Sequence, residues 1–333
     1  MHNNKRYLIV SDFDETLFYT SVDSPDKMNV KKAYELAIAK IFGELGTYIF
    51  ETIGLHGRTP SELTSDILDW AKDEKANLIQ KALDFFNREG AQVAQLIPES
   101  KSNSLIWNER SPEITITQML VGTKLSYLIN EIGKKDWAGE MWPRPCSGAL
   151  EFMHALERLK EEGAPLDFAV LSSGHELFIR KSFAVWDLPQ PEIIVTEDDI
   201  RPRKYPEGKD TRFKPGPFPI ALTHFKWLRR QGISSDNPSF MANAMESKNR
   251  ILCIGDDPYR DSLMAHRAKI KSYLYPHTPL IAITDALREN SSLLDGRSFA
   301  EIFVAERNGV EVDSLLPDNL RRRIFRLPSK ERL

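Results

Sequence analysis

The chain has 333 residues, 41% of them hydrophobic and 28% charged, which is the composition of a folded protein with enough length for two domains. Its net charge of −3 gives no long-range attraction to nucleic acid or to an anionic membrane, so we expect neither as a partner. No stretch approaches membrane-spanning length and no apolar leader precedes the first predicted strand, which predicts a cytoplasmic protein. The composition leaves the oligomeric state open.

The first predicted element is a short apolar strand that ends in two acids. Residues 7–10 are apolar or β-favouring, and Asp12 and Asp14 follow them with one residue between. Ligands bind at the carboxyl ends of strands in an open parallel sheet. Two carboxylates in such a crevice are costly unless a cation shares it, so the pair predicts a metal ion or a cationic side chain. An acidic turn after a strand is the alternative.

A long helical insert follows the first strand. From about residue 28 to 135 the apolar residues recur with helical spacing, and we find no convincing strand pattern. A polar loop at 102–112 interrupts this pattern, and Gly90 is a predicted helix stop. The predicted helices are 30–43, 61–72, 74–90 and 114–134.

From residue 142 onward, predicted helices alternate with short apolar strands. This alternation predicts an α/β fold with a Rossmann-like parallel sheet, to which the first strand belongs. The predicted domains are a discontinuous α/β core (1–22 plus 143–290), an all-helical insert (23–142) and a C-terminal extension (291–333). The predicted strands of the second part are 166–171, 192–196, 250–254 and 271–275.

Polar groups follow the predicted strands or precede a helix at four places. Each group has an ordinary explanation alone, since a serine often caps a helix and a Gly-Asp pair often forms a turn. Those explanations do not account for four such segments on one edge of one sheet. The four segments are Asp12 with Asp14; Ser172, Ser173 and Gly174; Lys214; and Asp256 with Asp257 and Asp261.

Together these groups predict a phosphoryl-transfer site. A phosphate brought next to several carboxylates requires a hard divalent cation, and Mg²⁺ is the usual one. Lys214 would supply a second positive charge, with Asp261 placed to orient it. The Ser172 hydroxyl and the following helix N-terminus would bind phosphate oxygens. The chain has neither a P-loop lysine motif nor a dinucleotide-binding glycine motif, which argues against those two kinds of site.

The ordered set of motifs resembles the haloacid-dehalogenase (HAD) superfamily of phosphohydrolases. The resemblance lies in the run Asp12-Phe-Asp14-Glu-Thr16, in Ser172, in Lys214 and in Gly255-Asp256 with Asp261. It covers the sheet domain, about half of the chain, and it implies the HAD fold. The helical insert stands where the family's type-one cap belongs. Two features depart from the family pattern: Glu15 stands where glycine is commonest, and the insert is longer than the usual cap.

The resemblance also implies roles for individual residues. Asp12 would attack phosphorus to form an aspartyl phosphate, and Asp14 would act as general acid and then as general base. The Asp12 carboxylate, the Asp14 backbone carbonyl and Asp256 would bind Mg²⁺, with Asp257 a weaker candidate. The residues implied to support this site are Thr16, Ser173, Gly174, Asp257 and Asp261.

Two residues are candidates for substrate contact. Arg58 lies in a Gly-Arg-Thr-Pro segment that resembles the substrate-facing loop of the β-phosphoglucomutase-like group, although a loop before a helix is the simpler explanation. His175 follows the Ser-Ser-Gly turn, where a residue at a helix start is the simpler explanation.

The predicted function is a Mg²⁺-dependent phosphatase that acts on a small phosphorylated metabolite. A phosphomutase of the same fold is the nearest alternative, because it would use the same acids on a sugar phosphate. A phospho-acceptor signalling domain fits less well, since it does not need Asp14 two residues after Asp12. A non-catalytic binding module also fits less well, since the chain keeps all the acids together with Lys214. The sequence leaves the substrate open, together with the roles of the enlarged cap, the 199–211 loop and the C-terminal tail.

Overall fold

The computed structural model of the chain describes residues 6–21, 28–55, 60–97, 105–135, 139–196, 199–200, 213–275 and 279–289. Arg58, nearly all of the 199–211 loop and the 291–333 extension lie outside these residues. By internal contacts the chain divides into an α/β unit, Met1–Tyr19 with Arg144–Leu333, and a helical unit, Thr20–Pro143. None of the described helices is both long and apolar enough to cross a membrane.

The helical unit contains five α-helices within its described residues. Asn29 starts the first helix, where its side chain accepts a hydrogen bond of 2.7 Å from the Lys32 N–H. Gly43, with a φ of 72°, ends the first helix and allows the second to begin at the next residue. The helices are α1 (Val30–Phe42), α2 (Glu44–Ile53), α3 (Pro60–Trp70), α4 (Lys75–Ala94) and α5 (Pro112–Glu131).

The predicted helix stop at Gly90 is wrong, because α4 continues through this residue to Ala94. Gly90 is buried inside the helix, and a Cβ there would lie 2.9 Å from the ring of Phe86. The glycine therefore makes room for an aromatic side chain one turn earlier. The helix predicted at 114–134 begins two residues earlier and ends three residues earlier, at Glu131.

The α/β unit is built on a five-stranded sheet whose order is β5-β4-β1-β6-β7. Every neighbouring pair in this sheet is parallel, so the α/β fold class is confirmed. A separate antiparallel pair joins two very short strands, β2 and β3. The strands are β1 (Tyr7–Ser11), β2 (Phe18–Tyr19), β3 (Arg144–Pro145), β4 (Leu166–Leu171), β5 (Ile193–Val195), β6 (Ile251–Gly255) and β7 (Lys271–Leu274).

Six α-helices are described in the α/β unit, two of which the apolar pattern did not predict. In α9 only Ser247 is buried while Met241 and Met245 are exposed, so this helix lacks the apolar stripe that a pattern search detects. The helices are α6 (Ala149–Glu161), α7 (Glu176–Val185), α8 (Phe218–Arg230), α9 (Phe240–Ser247), α10 (Leu263–Arg267) and α11 (Leu280–Glu289). The other unpredicted helix is α11.

The central position of β1 brings the chemically important segments together. β1 pairs with β4 on one side and β6 on the other, and Ser11 lies opposite both Val170 and Ile254. All five residues of β1 are buried, which explains its continuous apolar run. Because the three strands are parallel and in register, the segments that follow them leave the sheet at the same edge.

We predict that Gly122→Ala destabilises the helical unit. A Cβ on Gly122 in α5 would lie 2.5 Å from Val93 Cγ1 and 3.1 Å from the Val93 carbonyl oxygen in α4. The helices would have to separate, at a cost of about 1–3 kcal/mol in the free energy of unfolding. Thermal and urea unfolding measure this effect. Asn130→Ala, at an exposed position of the same helix, is the control, and equal stability of the two variants would contradict the prediction.

Candidate active site

The segment after β1 places its two acids on one side of the chain. The N–H of Asp12 donates to the carbonyl of Ile254 at 2.8 Å, so this residue still follows the edge of the sheet. Phe13 is fully buried against three other phenylalanine rings. Side chains alternate along an extended segment, so burial of Phe13 turns Asp12 and Asp14 away from the core.

Glu15 forms a left-handed turn directly after the two acids. Its φ is 57°, its N–H donates to the Phe18 carbonyl at 2.8 Å, and the Phe18 N–H donates to the Phe13 carbonyl at 3.0 Å. The turn leads the chain back into β2. Glycine is the residue that adopts this backbone conformation without strain, which gives a physical reason why glycine is commonest at this place in the motif.

Lys214 lies between two carboxylates at the centre of the site. Its Nζ is 3.0 Å from Asp12 Oδ1 and 2.6 Å from Asp261 Oδ1, and its side chain is only 5% exposed. Burial alone would lower the pKa of Lys214, but the charges of Asp12 and Asp261 outweigh burial and raise that pKa above its ordinary value. The two carboxylates therefore favour the charged ammonium form of Lys214.

The position of Asp261 depends on a π-helical turn and on the absence of a side chain at Gly255. Asp261 lies in the turn Pro258–Ser262, and its Oδ2 accepts a hydrogen bond of 3.2 Å from the Asp257 N–H. A Cβ on Gly255 would lie 2.4 Å from both the Cβ and the Oδ2 of Asp261. Only glycine permits this approach, a role that the sequence analysis missed although the Gly-Asp pair was part of the motif.

Asp256 completes a cluster of carboxylates that is suited to a cation. Its Oδ1 accepts a hydrogen bond of 3.0 Å from the buried Thr16 hydroxyl. Burial and the negative charge of Asp12 raise the pKa of Asp256 to about 7. Ligand oxygens of Asp12, Asp256 and Asp261 all lie within 4.8 Å of one another. Hard oxygen donors at this spacing fit Mg²⁺, but both oxygens of Asp261 already have partners. The geometry therefore favours Asp12 and Asp256 as metal ligands.

The hydrogen-bond partners of Asp257 are those of a structural residue and differ from those of a metal ligand. Its Oδ1 accepts hydrogen bonds from the Tyr259 N–H at 2.8 Å and the Arg260 N–H at 3.0 Å. The carboxylate thus caps the first turn of the π-helical segment. This contact favours a structural role for Asp257 over direct metal binding.

The Ser172 hydroxyl, in the loop after β4, is bound to Asp14 and does not point into open space. Ser172 Oγ donates to Asp14 Oδ2 at 2.9 Å and accepts the Gly174 N–H at 2.8 Å. A Cβ on Gly174 would lie 3.1 Å from Ser172 Oγ and 3.8 Å from Asp14 Oδ2, so the glycine keeps this contact uncrowded. Ser172 therefore fixes the carboxylate of Asp14 in the described conformation.

The two neighbouring candidates, Ser173 and His175, have different environments. Ser173 Oγ accepts a hydrogen bond from Arg260, a residue that the sequence analysis did not single out. His175 occupies the N-cap position of α7 and is 6% exposed, which favours the helix-start interpretation over substrate contact. The predicted residues of the α/β unit thus lie at or beside one edge of the sheet, where Asp257 caps a turn and His175 begins a helix.

Comparisons with known proteins return structures but no sequence family. No protein-family model matches the chain, and no curated protein sequence does. A "predicted phosphoglycolate phosphatase" from Haemophilus somnus is 15% identical over 94% of this chain and 92% of its own, with a TM-score of 0.41. A HAD-superfamily hydrolase from Ehrlichia chaffeensis is 15% identical over 86% of this chain and 98% of its own, with a TM-score of 0.38.

A third similar structure is the HAD-hydrolase YfnB from Bacillus subtilis, which was solved bound to magnesium. It is 14% identical over 83% of this chain and 91% of its own, with a TM-score of 0.34. Solved structures similar to this chain are thus named as HAD hydrolases, the family that its motifs resemble. Because these TM-scores are low, a function for the chain has to be argued from its own residues.

We predict that Asp256→Asn stabilises the metal-free protein at neutral pH but not in acid. The pKa of Asp256 is about 7 when folded against an ordinary value of 3.8. Below about pH 4 the carboxyl is protonated in both states. As the pH rises to about 7 it ionises first in the unfolded chain, so stability falls, by up to about 4 kcal/mol. An asparagine avoids this loss.

Thermal unfolding in EDTA from pH 4 to pH 8 measures the difference between the variant and the unsubstituted protein. The advantage of Asp256→Asn grows through this range, and added Mg²⁺ reduces it by stabilising the unsubstituted protein. Asp236→Asn, which neutralises an exposed carboxylate in the same unit, is the control. A constant difference at every pH would contradict the burial argument.

Proposed function

We propose that the chain is a Mg²⁺-dependent phosphohydrolase of the HAD superfamily that cleaves a small phosphorylated metabolite through an aspartyl phosphate. The observation that carries this proposal is the buried Lys214, which contacts Asp12 while Asp14, two residues further on, is bound to Ser172. A nucleophile, a cation and a separate acid are the groups that phosphoryl transfer needs.

Asp12 has the geometry of an oriented nucleophile. Its Oδ1 receives hydrogen bonds from the Phe13 N–H at 2.8 Å and from Lys214 Nζ at 3.0 Å. Both contacts involve Oδ1, so they restrain the carboxylate through one of its two oxygens. In the proposed reaction Oδ2 attacks phosphorus in line, a new P–O bond forms, and the bond from phosphorus to the leaving oxygen breaks.

In the proposed reaction Asp14 moves the proton. In the first step its carboxyl group gives a proton to the leaving oxygen, and in the second step its carboxylate takes a proton from the attacking water. That water breaks the aspartyl phosphate, which releases inorganic phosphate and restores Asp12. The hydrogen bond of 2.9 Å from Ser172 Oγ holds Asp14 in one orientation for both steps.

Asp12 and Asp256 are the side chains that would hold Mg²⁺, together with the Asp14 backbone carbonyl. The raised pKa of Asp256 supports this assignment, because the folded protein keeps a carboxylate where its charge is opposed by burial and by Asp12. When bound, the ion would neutralise charge on the phosphoryl oxygens. Thr16 would then orient Asp256 from the second layer of contacts.

The same proposal includes a role for the helical unit, a location for the protein and a class of substrate. The helical unit would serve as a type-one cap that excludes water during the reaction. A cytoplasmic location and a small-molecule substrate fit the composition of the chain. A phosphomutase would use the same groups on a sugar phosphate, but it would release little inorganic phosphate, so phosphate release separates the two activities.

We predict that Asp12→Asn abolishes phosphatase activity without unfolding the protein. The amide cannot act as the nucleophile, and losses of about a thousandfold or more are typical when a nucleophile is removed. Release of 4-nitrophenol from 4-nitrophenyl phosphate measures the activity, with Mg²⁺ present and after its removal by EDTA. Circular dichroism checks the fold.

Asp257→Asn provides the matched control for the acidic residues. An asparagine side-chain oxygen can still cap the π-helical turn, so this variant keeps most of the activity and its Mg²⁺ dependence. Asp256→Asn, one residue earlier, needs more Mg²⁺ because it loses one of the charged oxygen ligands. Turnover by Asp12→Asn at the unsubstituted rate, or activity that survives EDTA, would refute the proposed mechanism.

A further inference from the structure

A tyrosine at the end of β7 contacts the strand pair that follows Asp14. Tyr275 is 6% exposed, and its hydroxyl is hydrogen-bonded to the Tyr19 side chain in β2. The same hydroxyl donates to the carbonyl of Ser147, just after β3, at 3.5 Å. Burial and the hydrogen bond to Tyr19 raise the pKa of Tyr275 above its ordinary value, so the hydroxyl stays protonated. One side chain therefore reaches both halves of the β2–β3 pair.

The turn that carries Asp14 is supported at one end by β1 and at the other end by the β2–β3 pair. Asp14 lies between β1 and β2, and its backbone forms an isolated β-bridge with Phe18. The two strands of the pair have two residues each and are separate from the five-stranded sheet. A ladder this short is marginally stable by itself, so other contacts have to fasten it to the sheet.

Apolar packing fastens the pair only in part. Phe18 packs against the rings of two other buried phenylalanines, whose centroids lie 5.0 and 5.6 Å away. Apolar contacts are non-directional, whereas Tyr275 supplies directed hydrogen bonds. The backbone N–H of Tyr275 itself donates to the Gly255 carbonyl at 2.8 Å. Because Gly255 directly precedes Asp256, Tyr275 connects the strand pair to the segment that carries a proposed metal ligand.

The pair also contains the two points at which the chain passes between its units. The first segment of the α/β unit ends at Tyr19, and the second begins at Arg144. Any movement of the helical unit would therefore be transmitted along the chain to this pair, and from the pair to Asp14. A group that gives a proton to a leaving oxygen has to stay within about 2.6–3.2 Å of it. A directed contact at the pair would limit this displacement.

We propose that Tyr275 is a positioning residue for Asp14, which it holds in place through Tyr19 and Ser147. The inference rests on the proposed phosphatase function and deepens it, because it adds a residue outside the recognised motifs to the proton-transfer step. The role requires no contact between Tyr275 and the substrate. Loss of its hydroxyl lets the turn shift, which weakens proton donation by Asp14 and leaves the nucleophile Asp12 in place.

The test compares two aryl phosphates that differ in their need for a proton donor. The leaving group of 4-nitrophenyl phosphate departs without a proton, whereas that of phenyl phosphate is more basic and depends on a general acid. The value of kcat/KM reports the steps up to cleavage of the P–O bond, and it is measured with Mg²⁺ for both esters. We expect Tyr275→Phe to lower this value about tenfold for phenyl phosphate and about twofold or less for 4-nitrophenyl phosphate.

Two further variants separate positioning from a general loss of structure. Tyr19→Phe removes the other hydroxyl of the same hydrogen bond and also lowers the value for phenyl phosphate selectively. The double variant is no worse than Tyr275→Phe, because both substitutions act through one contact. Tyr48→Phe removes an exposed hydroxyl in α2 and changes neither value.

Three results would overturn the inference: an equal loss for both esters, no loss for either, or effects that multiply in the double variant. Circular dichroism checks the fold of each variant, and Tyr19→Phe alone decides the question if Tyr275→Phe does not fold. Failure of the unsubstituted protein to hydrolyse both esters would instead overturn the proposed function.

Discussion

The contact of Lys214 with Asp12 and Asp261 is the constraint on which the α/β unit's site depends. A buried ammonium group, the buried carboxylate of Asp261 and the partly buried carboxylate of Asp12 are each costly alone, and removing one of them leaves a charge poorly compensated. The contact needs β1 beside β6, a segment before α8 that returns to the sheet edge, and a glycine at position 255 that lets Asp261 approach. One set of charges therefore ties together three segments that are far apart in sequence.

The same arrangement separates the functions of chemically similar acids. Asp12 contacts a cation, Asp14 contacts a serine hydroxyl, Asp256 contacts a threonine hydroxyl, and Asp257 caps a turn. In the proposed mechanism these partners decide which carboxylate attacks, which transfers protons and which binds Mg²⁺.

Much of the α/β unit could be predicted from the sequence because its strands are apolar runs with polar groups at their carboxyl ends. A parallel sheet brings such ends to one edge, so the meeting of Asp12 and Asp256 followed from topology. Lys214 directly follows no described strand, and only the resemblance to a known set of motifs indicated that it belongs to the site. Hydrogen-bond partners could not be predicted in this way: the capping role of Asp257 and the Arg260–Ser173 contact depend on a π-helical turn that has no apolar pattern. The two-residue strands β2 and β3 were too short for a periodic signal, and α9 buries too little.

The central claim is that Asp12 becomes phosphorylated and that Asp14 is needed to release the phosphate. The most direct measurement is a rapid-quench experiment on Asp14→Asn with 4-nitrophenyl phosphate, whose leaving group departs without a proton donor. We predict a burst of about one 4-nitrophenolate per protein chain, followed by slow turnover, and mass spectrometry should find a phosphoryl group on the peptide that contains Asp12. No burst, or a phosphoryl group on any other residue, would contradict the account.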